Sequence, residues 1–367
     1  MAIAPDERRT VERTEKTGVS LVDADVHNYP RSMDSLTPYM SQRWVEYVRQ
    51  TGFVTPPKDE YPRFYESAAR RDAWPPSGDI PGSDPAFART QLLDEWDIDY
   101  AVLNPLYGVS RVHNLDFGNS LMRAVNEWTA HDWLNYDKRY KGSIVVNFSD
   151  PPAAAEEIRR VAADPRFVQV LLLARSPAPY GRREFRPIFE AAVEAGLPIG
   201  VHFGGGGGPI TATGWPSFYI EDHTGMVQSF EAQVLSMVCE GLFVEFPTLR
   251  VVLIESGFAW LPPLMWRLNK NFRGLRQEVP WLKKMPSEYI QEHFRATTQP
   301  MEEPENPEHL LQIMDMLGRD DFLMFATDYP HWDFDAPDRA IPASIRGERR
   351  DGIMFKNAME FYDFERS

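Results

Sequence analysis

The sequence predicts an α/β protein built as a (β/α)8 TIM barrel, with a long insertion after the first strand. Eight short apolar segments are predicted strands, and nearly every one is followed by a segment with helical periodicity. Short apolar strands that alternate with helices are typical of a parallel sheet covered on both faces. The length of 367 residues suits one barrel of about 250 residues with insertions. An open doubly wound sheet is the alternative, but no glycine fingerprint follows the first strand to support it.

The predicted elements follow one another in a regular order. Strands are expected at residues 20–26, 99–104, 142–148, 168–173, 198–202, 250–255, 294–298 and 322–328. Helices are expected at residues 119–136, 152–163, 185–195, 229–246, 260–271, 307–317 and 353–364. Residues 1–18 are expected to be a disordered or extended lead-in, and residues 19–367 a single metal-dependent barrel domain. Residues 28–90 are rich in proline, and we expect them to form a lid or a dimer contact; a mobile surface excursion is the alternative.

Composition restricts the class of partner. A net charge of −15 with no basic stretch argues against nucleic acid or an anionic membrane surface. The single cysteine, Cys239, leaves no internal disulfide and no cysteine-based zinc site. No apolar run reaches the roughly 18 residues of a membrane span, and the charged N-terminal stretch does not resemble a secretory signal. We therefore expect a cytoplasmic protein whose partner is a small molecule.

Ionisable side chains stand where the predicted strands end. Asp25 and His27 alternate along the first strand, so they share one face and could bind one cation together. The fifth strand ends in His202, the sixth in Glu255 and the eighth in Asp328. In a barrel the C-terminal ends of the strands meet at one rim, where active sites lie. Two histidines and two acids at that rim are suitable ligands for a divalent zinc, manganese or iron ion.

The sequence resembles the amidohydrolase superfamily, in the branch that includes aminocarboxymuconate-semialdehyde decarboxylase. The resemblance spans residues 22–362 and depends on four motifs, which are residues 23–27 (Asp-Ala-Asp-Val-His), 201–203 (Val-His-Phe), 255–262 (Glu-Ser-Gly to Trp-Leu-Pro) and 326–331 (Ala-Thr-Asp-Tyr-Pro-His). It implies that Asp25, His27, His202 and Asp328 bind the metal and that Asp328 also transfers a proton. It implies a homodimer or higher homo-oligomer as well. Family members carry a histidine where this chain has Glu255, and this departure leaves the usual proton-transfer assignment open.

Three further side chains are candidates for proton transfer. Glu255 could act as the base, orient another group or contact the substrate. His223 follows the fifth strand and is either catalytic or a cap of the next helix. His331 follows Asp328 by three residues and could hydrogen-bond to it, line the pocket or belong only to the loop.

Substrate contacts are expected from Arg175, Phe203 and Trp332. Arg175 follows the fourth strand and could bind a carboxylate through paired hydrogen bonds; a solvated loop residue is the alternative. The aromatic side chains near the rim indicate a flat or hydrophobic substrate. Binuclear relatives bridge two metals with a lysine on the fourth strand, and this chain has no lysine between Lys141 and Lys270. By this resemblance we expect one divalent metal, zinc in the first instance, with manganese or iron as alternatives.

Three functions are compatible with this site. The first is a mononuclear metal-dependent hydrolase of a small aromatic or hydrophobic carbonyl compound, with water activated by the metal and Asp328 as proton shuttle. The alternative is a metal-dependent, non-oxidative decarboxylase of an aromatic or unsaturated acid. The third is a non-catalytic metal-binding barrel. The missing histidine at the sixth strand favours hydrolysis over decarboxylation.

Overall fold

The computed structural model describes residues 20–57, 68–206 and 211–364. Their eight strands form one parallel sheet in sequential order. The strands are β1 (Val22–Val26), β2 (Tyr100–Leu103), β3 (Tyr140–Val145), β4 (Phe167–Arg175), β5 (Ile199–Gly205), β6 (Val251–Ile254), β7 (Phe294–Thr297) and β8 (Leu323–Met324). The backbone N–H of Ala24 donates to the carbonyl of Phe325 over 2.9 Å, and that of His27 donates to Tyr329 over 2.7 Å. These bonds join the last strand region to the first, and the predicted (β/α)8 barrel is confirmed.

Helices cover the outside of the barrel. They are α1 (Gln42–Thr51), α2 (Pro85–Ala88), α3 (Leu115–Trp128), α4 (Pro151–Val161), α5 (Arg186–Glu194), α6 (Tyr219–Gly225), α7 (Val227–Cys239), α8 (Leu242–Glu245), α9 (Leu261–Leu275), α10 (Pro286–His293), α11 (Pro307–Met316), α12 (Gly347–Asp351) and α13 (Asn357–Phe361). Wider π-helical turns extend α2 and α3 and join α12 to α13. Within the described residues, no helix has the length and apolar character needed to cross a membrane.

Two of the predicted elements differ from the structure for identifiable reasons. The helix expected at 229–246 is divided between α7 and α8, because Gly241 adopts a φ of 76° that ends a right-handed helix. The eighth strand is regular only over Leu323–Met324. Beyond it the chain turns toward β1, and the backbone N–H of Asp328 donates to the carbonyl of Asp25 over 3.1 Å. The strand therefore ends early because the residues after it hydrogen-bond to β1 instead of continuing a regular ladder.

A buried apolar cluster closes the end of the barrel at which the strands begin. Residues Val22, Val102 and Val252 of the strands pack in one buried cluster with Phe361 and Tyr362 at the C-terminal end of α13. Burial of such apolar side chains contributes about 1.5–3 kcal/mol each. The C-terminal helix thus fills the end where the strands begin, and the end where they finish remains available for a site.

The segment after β1 packs near that available end. The backbone N–H of Trp332 donates to the carbonyl of Ala68 over 2.7 Å, and that of Tyr29 donates to Gly82 over 2.8 Å. Its function as a lid or subunit contact stays a prediction, as do the homodimer, the single-domain boundaries and the cytoplasmic location. The predicted lead-in at 1–18 and residues 58–67 of the insertion lie outside the described residues.

Candidate metal centre and active site

The four predicted metal ligands, Asp25, His27, His202 and Asp328, lie together and are all buried. One ligand atom from each residue lies within 4.8 Å of the others. His27 Nε2 lies 2.8 Å from Asp328 Oδ1, and His202 Nε2 lies 3.2 Å from Asp25 Oδ2. Imidazole nitrogens and carboxylate oxygens are ligands that zinc, manganese and iron accept. The donor set therefore fits one divalent cation.

The strand ends position these side chains. Asp25 lies within β1 and His202 within β5, while His27 follows β1 directly. Asp328 follows β8 and adopts a φ of 60°. This left-handed conformation is uncommon for a residue other than glycine, and such conformations concentrate at functional sites. Asp23 lies outside the cluster, because its carboxylate accepts hydrogen bonds from the Thr327 backbone N–H over 3.0 Å and from the Thr327 hydroxyl over 2.6 Å.

Asn104, directly after β2, holds two of the four ligands. Its backbone carbonyl lies 2.8 Å from His27 Nδ1, and its side-chain amide donates to Asp25 Oδ1 over 2.8 Å. Because a carbonyl only accepts, Nδ1 of His27 carries the proton and Nε2 is left to bind a cation. The Oδ1 atom of Asn104 accepts hydrogen bonds from Ser143 Oγ over 2.6 Å and from Gln169 Nε2 over 2.9 Å. Sequence analysis missed this residue, although its place at a strand end was a usable signal.

The four-residue cluster attracts positive charge. Burial alone would lower the pKa of His27, but the charges of Asp25 and Asp328 raise it to about 10. Burial would raise the pKa of Asp25, but His202 and His27 hold it below its usual value. Burial raises the pKa of Asp328 well above its usual value. A proton or a cation is therefore held strongly at this position.

The predicted catalytic residues Glu255, His223 and His331 surround the cluster. Glu255 directly follows β6, and its Oε2 lies 3.6 Å from His202 Nε2. His223 lies on α6 and approaches Glu255 Oε1 at 3.7 Å. His331 Nδ1 lies 2.8 Å from Asp328 Oδ1, and its ring stacks on His27 with centroids 4.3 Å apart. Burial lowers the pKa of His331 to about 3, so the neutral ring donates from Nδ1 to Asp328.

Asp333 completes a second group of ionisable residues and was not predicted. Its Oδ2 lies 3.2 Å from His223 Nε2 and accepts from Gln299 Nε2 over 2.9 Å. Gln299 Nε2 also lies 3.4 Å from Asp328 Oδ2. Burial would lower the pKa of His223, but Asp333 and Glu255 raise it to about 10. The available sequence signal for Asp333 was its position two residues after His331 in the same loop.

A cavity of about 130 Å³ opens beside these residues. Among the described residues, its lining consists of Ala68, Leu106, Phe203, Gly204, Tyr219, Glu255, His331, Trp332 and Asp333. An engineered apolar cavity of about 150 Å³ binds benzene, so the volume is on the scale of one aromatic ring. Two of the three predicted substrate contacts, Phe203 and Trp332, line this space, and their contact with a substrate stays a prediction.

Arg175 lies behind this lining. Its guanidinium pairs with Asp222 and stands 4.8 Å from the centre of the Phe203 ring. Its Nε atom is buried without a hydrogen bond. The structure thus places Arg175 against a wall of the cavity, in an ion pair, and its predicted contact with a substrate carboxylate stays a prediction.

Known proteins share this fold and parts of this sequence. The sequence profile of the Amidohydro_2 family, described as amidohydrolase, matches residues 22–364. A γ-resorcylate decarboxylase of Rhodococcus jostii (strain RHA1) is 25% identical over 263 residues, which cover 66% of this chain and 76% of the relative.

Solved structures resemble most of the chain, among them two decarboxylases with bound manganese. A dihydroxybenzoic acid decarboxylase of Polaromonas sp. JS666, with bound manganese and the inhibitor 2-nitroresorcinol, superposes with a TM-score of 0.66 at 20% identity, covering 95% of this chain and 98% of that one. The second is a 5-carboxyvanillate decarboxylase of Novosphingobium aromaticivorans, complexed with manganese and 4-hydroxy-3-methoxy-5-nitrobenzoic acid. It superposes with a TM-score of 0.68 at 19% identity, covering 98% of this chain and 100% of that one. At these identities the likeness establishes the fold.

Proposed function

Because the chain belongs to the amidohydrolase family, we propose that it is a metal-dependent, non-oxidative decarboxylase of an aromatic acid. The names of its relatives support this activity over the hydrolysis that the sequence favoured, since the relatives compared above are decarboxylases of hydroxylated aromatic acids. The observation that carries the proposal is the juxtaposition of the buried four-residue cluster and a ring-sized cavity with aromatic walls.

Asp25, His27, His202 and Asp328 would hold one divalent cation. Manganese is favoured over the zinc expected from the sequence, because two related structures contain it. When bound, the cation would hold the carboxylate and a neighbouring oxygen of the acid and withdraw charge from the ring.

The chain's own residues would position and protonate the ring. Phe203 and Trp332 would hold it by its faces, where offset or edge contacts with a second ring contribute about 0.5–1.5 kcal/mol. Asp328, which contacts both His27 and His331, would bring a proton to the ring carbon that bears the carboxylate. The neutral His331 would orient Asp328 by donating from Nδ1.

The proposed step balances without water. The proton adds to the ring carbon, the bond from that carbon to the carboxylate breaks, and its electron pair returns to the ring as carbon dioxide leaves. The apolar side chains of the cavity lining would reduce the access of bulk solvent to this step.

The experiment measures product chemistry. We expect manganese-loaded protein to release carbon dioxide from at least one hydroxybenzoate, 2,6-dihydroxybenzoate first, and to place one deuterium on the ring when the reaction runs in D2O. Asp328→Asn should reduce the rate by about 10²- to 10⁴-fold, with its metal content measured in parallel. Oxygen from labelled water in the product, without carbon dioxide, would establish hydrolysis instead.

A further inference from the structure

A second group of metal-binding side chains stands beside the first. His223, Glu255 and Asp333 each present one ligand atom within 4.8 Å of the others. They come from α6, the end of β6 and the loop after β8. We propose that these three residues form a second divalent cation site, linked to the first cluster through the carboxylate of Glu255. This proposal goes beyond the proposed decarboxylation, for which the four-residue cluster alone is sufficient.

The spacing of the three ligand atoms suits a shared cation. His223 Nε2 lies 3.2 Å from Asp333 Oδ2 and 3.7 Å from Glu255 Oε1. The second separation exceeds the roughly 2.7–3.2 Å of an N–H···O hydrogen bond. Bonds of about 2.1 Å to one cation separate neighbouring ligand atoms by about 3.0 Å in octahedral geometry and about 3.4 Å in tetrahedral geometry. The Nε2 atom of His223 is buried and forms no hydrogen bond of regular geometry, although it faces both carboxylates.

Glu255 faces both clusters. Its Oε2 approaches His202 of the first cluster at 3.6 Å, while its Oε1 approaches His223 of the second at 3.7 Å. Pairs of metal ions in enzymes lie about 3.5–4 Å apart, a separation that the two oxygens of one carboxylate can span. Glu255 also has a φ of 59°, close to the 60° of Asp328. Left-handed conformations of residues other than glycine concentrate at functional sites, and these two belong to acids of the two neighbouring groups.

The carboxylates of the second group would be left without a neutralising cation if only the four-residue cluster bound metal. A cation held by the four-residue cluster would be bound by Asp25 and Asp328, whereas Glu255 and Asp333 belong to the second group. The cavity is lined by Glu255 and Asp333, and its described lining contains no lysine or arginine. An aromatic carboxylate, if the proposed function holds, would meet these two negative groups on entry. A second cation would neutralise Glu255 and Asp333. A proton on His223 is the competing explanation for how their negative charge is offset.

The decisive measurement is the number of manganese ions bound per chain. Equilibrium dialysis of the intact protein against Mn²⁺, with metal analysis of both compartments, should give two per chain for the wild type and one for His223→Ala. His309→Ala, a change at an exposed histidine of α11, is the matched control and should retain two. Electron paramagnetic resonance should show a spin-coupled Mn²⁺ pair in the wild type and in His309→Ala, and an isolated ion in His223→Ala.

Two results would overturn the proposal. The first is one ion per wild-type chain at saturating Mn²⁺, which would leave a proton on His223 as the neutralising group. The second is two ions without spin coupling, which would place the extra ion elsewhere on this acidic protein. Circular dichroism of each variant excludes unfolding as the cause of a lost ion. Neither measurement depends on turnover, so a failure of the proposed decarboxylation is recognised separately.

Discussion

The sharpest prediction concerns Asn104, which touches the proposed metal ligands without being one. Asn104→Ala removes the amide that donates to Asp25 Oδ1 over 2.8 Å. The backbone carbonyl that fixes His27 remains, so only one of the two positioning contacts is lost. Residues that orient metal ligands typically contribute about 10- to 100-fold to metal affinity, which corresponds to about 1.4–2.7 kcal/mol. We expect Asn104→Ala to weaken Mn²⁺ binding by that factor.

Stability must be separated from metal affinity. Asn104→Ala also deprives Ser143 and Gln169 of a buried acceptor, which should cost about 1–3 kcal/mol of unfolding free energy. The matched control is Asn126→Ala, because Asn126 is equally buried but bonds to Val145 and Glu157 away from the site. Chelator competition measures the Mn²⁺ dissociation constant and urea unfolding measures stability. The reasoning is refuted if Asn104→Ala binds Mn²⁺ like the wild type, or if Asn126→Ala loses as much affinity.

Three further outcomes are expected. Trp332→Ala should weaken binding of an aromatic acid roughly 2- to 12-fold, the equivalent of one aromatic contact. The control Trp266→Ala, at an exposed tryptophan on α9, should leave the affinity unchanged. Titration calorimetry measures the dissociation constant of both variants. Removing metal with EDTA should lower the melting temperature, because a ligand at 100 times its dissociation constant stabilises by about 2.7 kcal/mol; readdition of Mn²⁺ should restore it, and an unchanged melting curve would argue against a bound ion. Burial lowers the pKa of His293 in the folded protein, so the unfolded chain binds more protons below pH about 6.5 and stability should fall as the pH drops through that range. His293→Gln should flatten the fall in urea midpoints between pH 7.5 and 5.5.

The barrel and its four-residue cluster were predictable because both follow from the regular alternation of strands and helices along the chain. Short apolar strands that alternate with helices specify a parallel barrel. The C-terminal ends of those strands then bring His202 and Asp328 to one rim, although 126 residues separate them (328 − 202). No side-chain contact had to be known in advance for this step. The family resemblance then connected the same residues to a metal.

The remaining site features depended on side-chain contacts that periodicity does not encode. Asp222 pairs with Arg175, and nothing in the sequence indicated that this arginine would be directed to a neighbouring acid. Asp333 joins the site because the loop after β8 turns back toward α6. Asn104 belongs to an apolar strand by composition, and only the structure shows its amide between Asp25, Ser143 and Gln169.

Glu255 stands where the resembling family has a histidine, and the structure indicates how this chain compensates for the change. Replacing an imidazole by a carboxylate removes a potential positive charge and adds a negative one beside His202. His223, on α6, directs its Nε2 toward Glu255 from the opposite side, and Asp333 holds it there. An imidazole is therefore present in the same small volume, supplied by a different element. Whether its Nε2 carries a proton or a cation decides how the two carboxylates beside it are neutralised. Either state would offset negative charge beside the four-residue cluster, so the substitution at β6 does not by itself favour hydrolysis.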